Sequence, residues 1–267
     1  MLTVNVGAAA VPRAEKLLEW LAGRPEHVFL LTETSSGPGT AFLLDRFRDC
    51  GYAVQHAEDL AGERGAAIIS KVPIRTSAST TTNGISLPGR LALVHLDTQP
   101  ATAVMAIYVP SRDRSLDKTE RKSRFIESLT TVLERLPDKV RDTLVVGGDY
   151  NVISRNHQPL HSGFLDFEFG LLDTLERNAF VDAYNQAHPG KQAHSWIGRT
   201  GDGYRYDYMH VGRAIASRIT ACRYLHETRE LQLTDHAAVS LDLDVKVPTY
   251  LKTTDLLSAE SEPLALF

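Results

Sequence analysis

The sequence predicts one α/β domain with buried β-sheets. Short segments rich in Val, Ile and Leu alternate with amphipathic helical patterns through the first two thirds of the 267 residues. The shares of 43% hydrophobic and 23% charged residues are typical of a globular protein with a substantial core. No stretch reaches the ~18 uninterrupted apolar residues that a membrane-spanning helix needs.

The strand candidates share runs of branched apolar residues that end at turn-forming residues. In the last of them, Val239, Leu241 and Leu243 alternate with polar residues, which predicts a strand with one buried face. The segments are Leu2–Val6, Val28–Thr32, Ala66–Ser70, Leu91–Asp97, Ala103–Tyr108, Thr143–Gly147, Arg205–Val211 and Ala237–Val245.

The clearest helical pattern starts near Asp117, where Asp117 and Glu120 fit a capping box, and it ends at Pro137. Shorter helices are predicted at Arg13–Ala22, Ala41–Cys50 and Gly170–Asn178. Beyond Val247 the periodicity is lost, so we expect a single domain over residues 1–247 and an irregular tail over 248–267.

The overall charge and the amino end limit the partners and the location. A net charge of −4 does not favour nucleic acid, although a divalent cation and a local basic patch would offset it. Cys50 and Cys222 lie far apart and are expected to be buried thiols. The chain starts with the strand-like Leu2–Val6 instead of a secretion signal, so we expect a cytoplasmic protein without membrane contact.

The common nucleotide-binding, serine-hydrolase and zinc-protease motifs are absent from the sequence. Polar residues instead follow the apolar strands, where α/β sheets place their sites. Asn5 and Glu33 follow the first two strands, and Asp149 and Asn151 follow a later strand past two glycines. Carboxylate and amide oxygens suit Mg²⁺ or Mn²⁺. Each residue alone is also compatible with ordinary turn chemistry.

Two further segments carry charged residues at a strand. Arg205, Asp207 and Met209 share one face of a predicted strand. Their charges either face a cleft or form an ion pair on a solvated surface. Asp235 and His236 immediately precede the last strand. They are either a metal ligand and a phosphate-binding histidine or an ordinary turn.

In order and spacing these residues resemble the endonuclease/exonuclease/phosphatase superfamily, in particular its exonuclease III and apurinic/apyrimidinic endonuclease branch. The resemblance spans Leu2 to Val245 and implies a four-layer α/β (α+β) sandwich of two mixed β-sheets flanked by helices, with the site at one edge. Its motifs are Asn5, Glu33, Arg64 to Lys71, Tyr108-Val109-Pro110, Gly-Gly-Asp149-Tyr-Asn151, Leu172-Asp173-Thr174, Val181 to Tyr184, His188-Pro189, His194-Ser195-Trp196, Arg205-Tyr-Asp207-Tyr and Thr-Asp235-His236.

The resemblance also implies residue roles. Glu33, Asn5 and Asp235 are expected to hold Mg²⁺, with Mn²⁺ as an alternative. Asp149, oriented by Asn151, is expected to activate the attacking water. The remaining roles are phosphate contacts by Tyr108 and by His236 paired with Asp207, and substrate contacts by Trp196, Arg205 and Arg112.

The residues after Tyr108 form a candidate patch for the phosphate backbone, or equally a solvated helix face. Its six basic residues outnumber three acidic ones: Arg112, Arg114, Lys118, Arg121, Lys122 and Arg124 stand against Asp113, Asp117 and Glu120.

The resemblance predicts a metal-dependent phosphodiesterase that hydrolyses duplex DNA in DNA repair. Gly7 and Ser111 depart from the family pattern, and the linker from Ile197 to Tyr204 is short for a loop that enters a duplex. These departures leave two alternatives: an enzyme of the same superfamily acting on a small phosphate ester or RNA, and a catalytically silent binding module.

Overall fold

The computed structural model describes residues 1–56, 62–75 and 82–258. The strands are β1 Leu2–Asn5, β2 Val28–Thr34, β3 Ala53–His56, β4 Gly65–Ser70, β5 Ile74–Arg75, β6 Leu91–Leu96, β7 Thr102–Tyr108, β8 Leu144–Asp149, β9 Phe180–Asp182, β10 Trp196–Ile197, β11 Gly203–Tyr204, β12 Asp207–Gly212, β13 Ile219–Leu225 and β14 Ala238–Leu243. The helices are α1 Val11–Ala22, α2 Pro38–Asp49, α3 Leu116–Arg135, α4 Asp138–Arg141, α5 Asp166–Arg177, α6 Ala183–Ala187 and α7 Glu227–Glu230.

Two six-stranded mixed sheets pack face to face. The first sheet has the order β13-β14-β1-β2-β4-β3 and the second has the order β5-β6-β7-β8-β12-β9. One apolar cluster, which includes Leu30, Val104 and Val239, lies between the sheets. A second cluster lies between the first sheet and α1 and α2, and a third lies between the second sheet and α3 and α5. The expected four-layer sandwich is therefore confirmed.

Each sheet is built around one parallel strand pair joined by a helix. In the first sheet α1 connects β1 to β2, and in the second sheet α3 connects β7 to β8. Both helices bury one apolar stripe against their sheet, with Leu17 and Leu21 in α1 and Phe125 and Leu129 in α3. This arrangement places the carboxyl ends of four strands at the same edge of the sandwich.

Two local predictions are wrong. Helix α3 starts at Leu116 after Ser115, so Asp117 lies in its first turn and the capping box with Glu120 does not form. Strand β14 is buried on both faces at its start: Val239 packs between the sheets, and Ala238 packs on the helix side. Its Ser240 is also buried, because β14 is an inner strand between β13 and β1.

The described part of the tail, residues 248–258, has no helix or strand but packs back onto the first sheet. The Leu251 N–H donates to the Lys71 carbonyl, the Thr254 N–H donates to the Cys50 carbonyl, and Leu256 joins the cluster under α1 and α2. Residues 259–267 lie outside the described part of the chain. Cys50 and Cys222 are buried free thiols, as expected. Within the described ranges no helix has the length and apolar character that would cross a bilayer.

Candidate active site

The predicted site residues meet where the two sheets adjoin at their shared edge. Asn5 ends β1, and its Nδ2 donates to Glu33 Oε1 at 3.2 Å and to Asp149 Oδ2 at 2.9 Å. Its Oδ1 accepts from the Gly7 N–H at 2.8 Å. Asn5 therefore joins a carboxylate of each sheet through its amide nitrogen, and the amide oxygen that was expected to face a metal is bonded to the backbone.

Glu33 is turned into the cleft by an irregularity in β2. The register between β2 and β4 shifts between Thr32 and Thr34, and Glu33 has a left-handed φ of 54°. A bulge re-aims one side chain, and a left-handed conformation is costly for a residue other than glycine. The Tyr108 hydroxyl donates to Glu33 Oε1 at 2.9 Å, which fixes the carboxylate.

Asp149 reaches the edge past a glycine that no other residue can replace without strain. Gly148 has a φ of 143°, and a Cβ atom there would lie 2.0 Å from the Ile107 carbonyl oxygen. Asn151, also left-handed with a φ of 48°, donates its N–H to Asp149 Oδ1 at 2.9 Å and its Nδ2 to Asp149 Oδ2 at 3.2 Å. Asn151 therefore orients the Asp149 carboxylate.

Asp207 lies directly opposite Asp149 on the neighbouring antiparallel strand. His236, from the loop before β14, bonds through Nδ1 to Asp207 Oδ2 at 2.7 Å. Ligand atoms of Asp149, Asp207 and His236 lie within 4.8 Å of one another, and all three residues are buried. Two like charges side by side on adjacent strands are destabilising unless a cation compensates them.

The electrostatics of this cluster follow from that geometry. Burial and repulsion by the Asp207 carboxylate raise the pKa of Asp149 to about 8, although the His236 imidazole opposes the rise. Burial by itself would lower the pKa of His236, but the Asp207 and Asp149 carboxylates raise it to about 10. Burial and the neighbouring Glu33 raise the pKa of Tyr108 well above its usual value, so its hydroxyl stays a donor.

The donor set fits a hard divalent cation. Asp207 Oδ1 is buried without a hydrogen-bond partner, and the carboxylates of Glu33 and Asp149 share one amide donor. Burial and the nearby carboxylates of Asp207 and Glu33 raise the pKa of Asp149 even though the His236 imidazole opposes the rise, so a cation at this position would be stabilised. Clustered carboxylate oxygens are the ligands that Mg²⁺ and Mn²⁺ prefer.

A cavity of about 420 Å³ opens beside the cluster and carries aromatic rings. Trp196 lies in its wall, and its Nε1 donates to Asp235 Oδ2 at 2.9 Å. A bridge between the Trp196 and His236 backbones keeps the wall next to the catalytic candidates. The other aromatic residues of the cavity are Phe164, Tyr204 and Tyr206.

Arg205 lies apart from the cluster. Its guanidinium forms a buried bidentate pair with Asp182, with Nη1 and Nη2 each 2.7 Å from a carboxylate oxygen. Its Nε donates to the Tyr224 hydroxyl, which in turn donates to the Asp207 carbonyl at 2.6 Å. This geometry supports β12 and does not offer Arg205 to a substrate.

The basic patch is also corrected by the structure. Lys122 is only 1% exposed, so it is not part of a surface for a phosphate backbone. Arg112 lines the cavity, but its Nε and Nη2 donate to Glu168. Arg121 pairs with Glu63. Arg114, Lys118 and Arg124 are the remaining basic side chains of the predicted patch.

Several residues of the site were not identified from the sequence. The Arg90 guanidinium lies 4.5 Å from the centre of the Tyr108 ring, on which it packs. The buried Ser195 hydroxyl accepts from the Tyr206 and Asp207 N–H groups. Tyr206 and Ser195 lie inside recognised motifs and were within reach of sequence analysis. Arg90 and Phe164 lie outside those motifs and gave no local signal.

Comparison with known proteins assigns the family. The Endonuclease/Exonuclease/phosphatase family matches residues 2–249. An exodeoxyribonuclease of Bacillus subtilis (strain 168) is 24% identical over 266 residues, which cover 92% of this chain and 99% of the relative.

Solved structures share the fold at low identity. A 3′ phosphatase from Neisseria, bound to a product DNA hairpin, has a TM-score of 0.72 at 21% identity over 91% of this chain and 98% of its own. An AP endonuclease from Archaeoglobus fulgidus has a TM-score of 0.72 at 20% identity over the same shares. The chain therefore belongs to the Endonuclease/Exonuclease/phosphatase family.

Proposed function

We propose that this protein is a Mg²⁺-dependent phosphodiesterase that hydrolyses duplex DNA in DNA repair. The observation that carries the proposal is the convergence of Glu33, Asp149, Asp207 and His236 at one edge of the sandwich. The relatives support DNA as the substrate, because they include an exodeoxyribonuclease, an AP endonuclease and a phosphatase bound to a DNA product.

Asp149 is the proposed general base. Its carboxylate is held by three donors, two from Asn151 and one from Asn5. A pKa raised to about 8 matches a base that accepts a proton from water near neutral pH. The fixed orientation places the receiving oxygen without a reorganisation cost at the moment of reaction.

His236 is the proposed donor to the scissile phosphate. Asp207 holds its Nδ1, so the other ring nitrogen, Nε2, is available to the substrate. A pKa raised to about 10 keeps the imidazolium charged at neutral pH, where it stabilises negative charge on a phosphate oxygen. Tyr108, whose hydroxyl remains protonated, donates its one hydrogen to Glu33, so it would contact a phosphate oxygen as a donor only in exchange for that bond.

Glu33 is the first candidate metal ligand, with Asp235 and the Asp149–Asp207 pair nearby. A bound Mg²⁺ or Mn²⁺ would polarise the phosphate and neutralise charge that develops on its oxygens. Asn5 would support that site by holding Glu33 and Asp149 through its amide nitrogen. Trp196 would line the substrate cavity and hold Asp235.

A small phosphate ester or RNA is the second candidate substrate. The net charge of −4 favours the small ester, because it disfavours any nucleic-acid backbone. The short hairpin of β10 and β11 beside the cavity favours either alternative over duplex DNA, since it offers little surface to a duplex. Two of the six predicted basic-patch residues, Arg112 and Lys122, form ion pairs with Glu168. These pairs weaken the case for an extended contact with a DNA phosphate backbone.

The proposal is tested by cleavage of labelled duplexes with Mg²⁺, one intact and one with a single abasic site, beside bis-p-nitrophenyl phosphate. Wild type, Asp149→Asn and Asp244→Asn are compared, the last being the same change at an exposed position away from the cluster. We expect wild type and Asp244→Asn to cut DNA and Asp149→Asn to lose the activity. Hydrolysis of the small ester without any DNA cleavage would transfer the protein to the second candidate class.

A further inference from the structure

A buried charged cluster lies behind the candidate site, in the wall of the same cavity. Lys122 and Glu168 are each 1% exposed, and Lys122 Nζ donates to Glu168 Oε1 at 2.7 Å. Arg112 donates to the second oxygen, Oε2, through Nε and Nη2 at 3.0 and 2.5 Å. The Leu165 N–H donates to the same oxygen at 2.8 Å, so Glu168 joins three segments of the chain.

The ammonium of this cluster also contacts a proposed catalytic residue. Lys122 Nζ donates to the Asn151 carbonyl oxygen at 2.5 Å. Asn151 is one of the few residues other than glycine with a left-handed φ, at 48°, and its side chain and N–H both donate to Asp149. A strained backbone persists only where surrounding contacts hold it. Lys122 supplies such a contact from a helix that is itself packed into the core.

Stability alone does not explain why this cluster is charged. Burying two cations and one anion carries a desolvation penalty that well-packed apolar residues would avoid. Burial raises the pKa of Glu168, but the hydrogen bonds from Arg112 and Lys122 hold it below its usual range, so the carboxylate is ionised at neutral pH. The Lys122 ammonium is therefore fixed between a charged carboxylate and one backbone carbonyl, that of Asn151.

We propose that Lys122 is a positioning residue for hydrolysis, which holds Asn151 left-handed so that Asn151 aligns the Asp149 carboxylate. Glu168 fixes the ammonium, and Arg112 fixes Glu168. The inference rests on the proposed function, because it assigns Lys122 an effect on the step in which Asp149 takes a proton from water. Misplacement of a reacting group by about 1 Å can lower the rate by ~10²-fold.

Lys122→Met keeps the unbranched apolar part of the side chain and removes the ammonium donors, and we expect it to lower kcat by about 10-fold to 100-fold with KM within about twofold. Lys122→Arg can donate to both oxygens and should restore most of kcat. Lys122→Met also leaves the Glu168 charge poorly paired, which can prevent folding. The double variant Lys122→Met with Glu168→Gln removes both charges together and keeps the test available.

Lys139→Met is the matched control, because Lys139 is exposed in α4, at the opposite end of β8 from Asp149. It should leave kcat unchanged. Wild-type kcat in a folded Lys122→Met protein or in the double variant would overturn the proposal. A kcat for Lys122→Arg as low as that of Lys122→Met would also overturn it, since packing alone would then explain the loss.

A crystal structure of the double variant gives a readout that does not depend on activity. We expect residue 151 to leave the left-handed region, or its two bonds to Asp149 to break. An unchanged Asn151 would reject the positioning role even if wild type cleaves DNA. If wild type cleaves no DNA, the proposed substrate fails, while the position of Asn151 still decides whether Lys122 holds it.

Discussion

The two sheets are built on the same plan but bring different chemistry to the site. Each contains one parallel pair joined by a helix, and each ends that pair at the same edge. The first sheet contributes Asn5 and Glu33, of which Glu33 is turned inward by an irregular strand. The second contributes Asp149 and Asp207 as direct neighbours on adjacent strands, both buried.

The two sheets therefore contribute carboxylates that suit different tasks, metal binding in the first sheet and proton transfer in the second. Glu33 is half-buried at the cavity and has its carboxylate fixed by Tyr108 and Asn5, which suits a metal ligand. Asp149 is buried beside a second carboxylate and has a raised pKa, which suits a proton acceptor. His236, from the loop that precedes β14 of the first sheet, pairs with Asp207 of the second and partly compensates the charge.

The largest expected effect comes from the same kind of change, carboxylate to amide, made once in each sheet. Asp149→Asn should lower kcat by roughly 10²-fold to 10⁴-fold at every Mg²⁺ concentration, because it removes the proposed general base. Glu33→Gln should raise the Mg²⁺ concentration needed for half-maximal turnover and recover much of its kcat at high Mg²⁺. Turnover measured against Mg²⁺ tests both. Recovery of Asp149→Asn by added metal would remove the distinction between the sheets.

The next effect concerns the glycine that lets β8 pass close to β7. Gly148→Ala should lower the free energy of unfolding by roughly 3–5 kcal/mol, because its Cβ would overlap the Ile107 carbonyl and its φ suits only glycine. Urea unfolding followed by circular dichroism measures the change. Gly170→Ala is the control: it lies in α5 with open space around it and should stabilise by about 0.5–1 kcal/mol. Equal effects would contradict the close approach.

A smaller effect is expected where the aromatic wall meets the first sheet. Trp196→Phe keeps a ring in the cavity but removes the N–H that holds Asp235, so Mg²⁺ affinity should fall roughly tenfold. Isothermal titration with Mg²⁺ in the absence of DNA measures it. Trp20→Phe makes the same change in α1, away from the cavity, and should leave affinity unaltered. Unaltered affinity in Trp196→Phe would remove Asp235 from the metal site.

The smallest expected effect is a gain in stability. Without metal, Asp149→Asn should raise Tm by about 2–4 °C at neutral pH, the equivalent of ~1 kcal/mol, because it removes a buried charge and its repulsion by Asp207. Scanning calorimetry at several pH values measures the gain.

The sign of the pH dependence follows from linkage. The folded pKa of Asp149, about 8, lies above its ordinary 3.8, so the folded state binds more protons between these values and wild type loses stability as pH rises through them. His236, with a folded pKa of about 10 against 6.5, adds stability below pH 6.5 that is lost as pH rises through 10. The advantage of Asp149→Asn should therefore grow from pH 5 to pH 8. An advantage that shrinks over this range would contradict the raised pKa.

The order of residues along the chain was enough to predict the family and most of the site. Asn5, Glu33 and Asp149 lie at the carboxyl ends of β1, β2 and β8, whereas Asp207 begins β12 and His236 precedes β14. These ends meet at one edge of the sandwich. The roles of Arg205 and Arg112 were not predictable in this way. A positively charged side chain near a motif can bind either a substrate or a buried carboxylate. The partners observed here, Asp182 for Arg205 and Glu168 for Arg112, are distant in sequence, so the sequence did not show which of the two applies.

The sequence by itself determined the α/β class, because hydrophobic periodicity is a local property. The sandwich and the residues that meet at its edge were implied by the resemblance that the strand-end motifs carry. The tertiary structure alone decided the electrostatics of the site. The raised pKa of Asp149 depends on its burial and on its pairing with Asp207 on the adjacent strand, and the contact from Lys122 to Asn151 depends on the packing of α3. Burial and charge proximity arise only when distant segments pack together, so no local pattern encodes them.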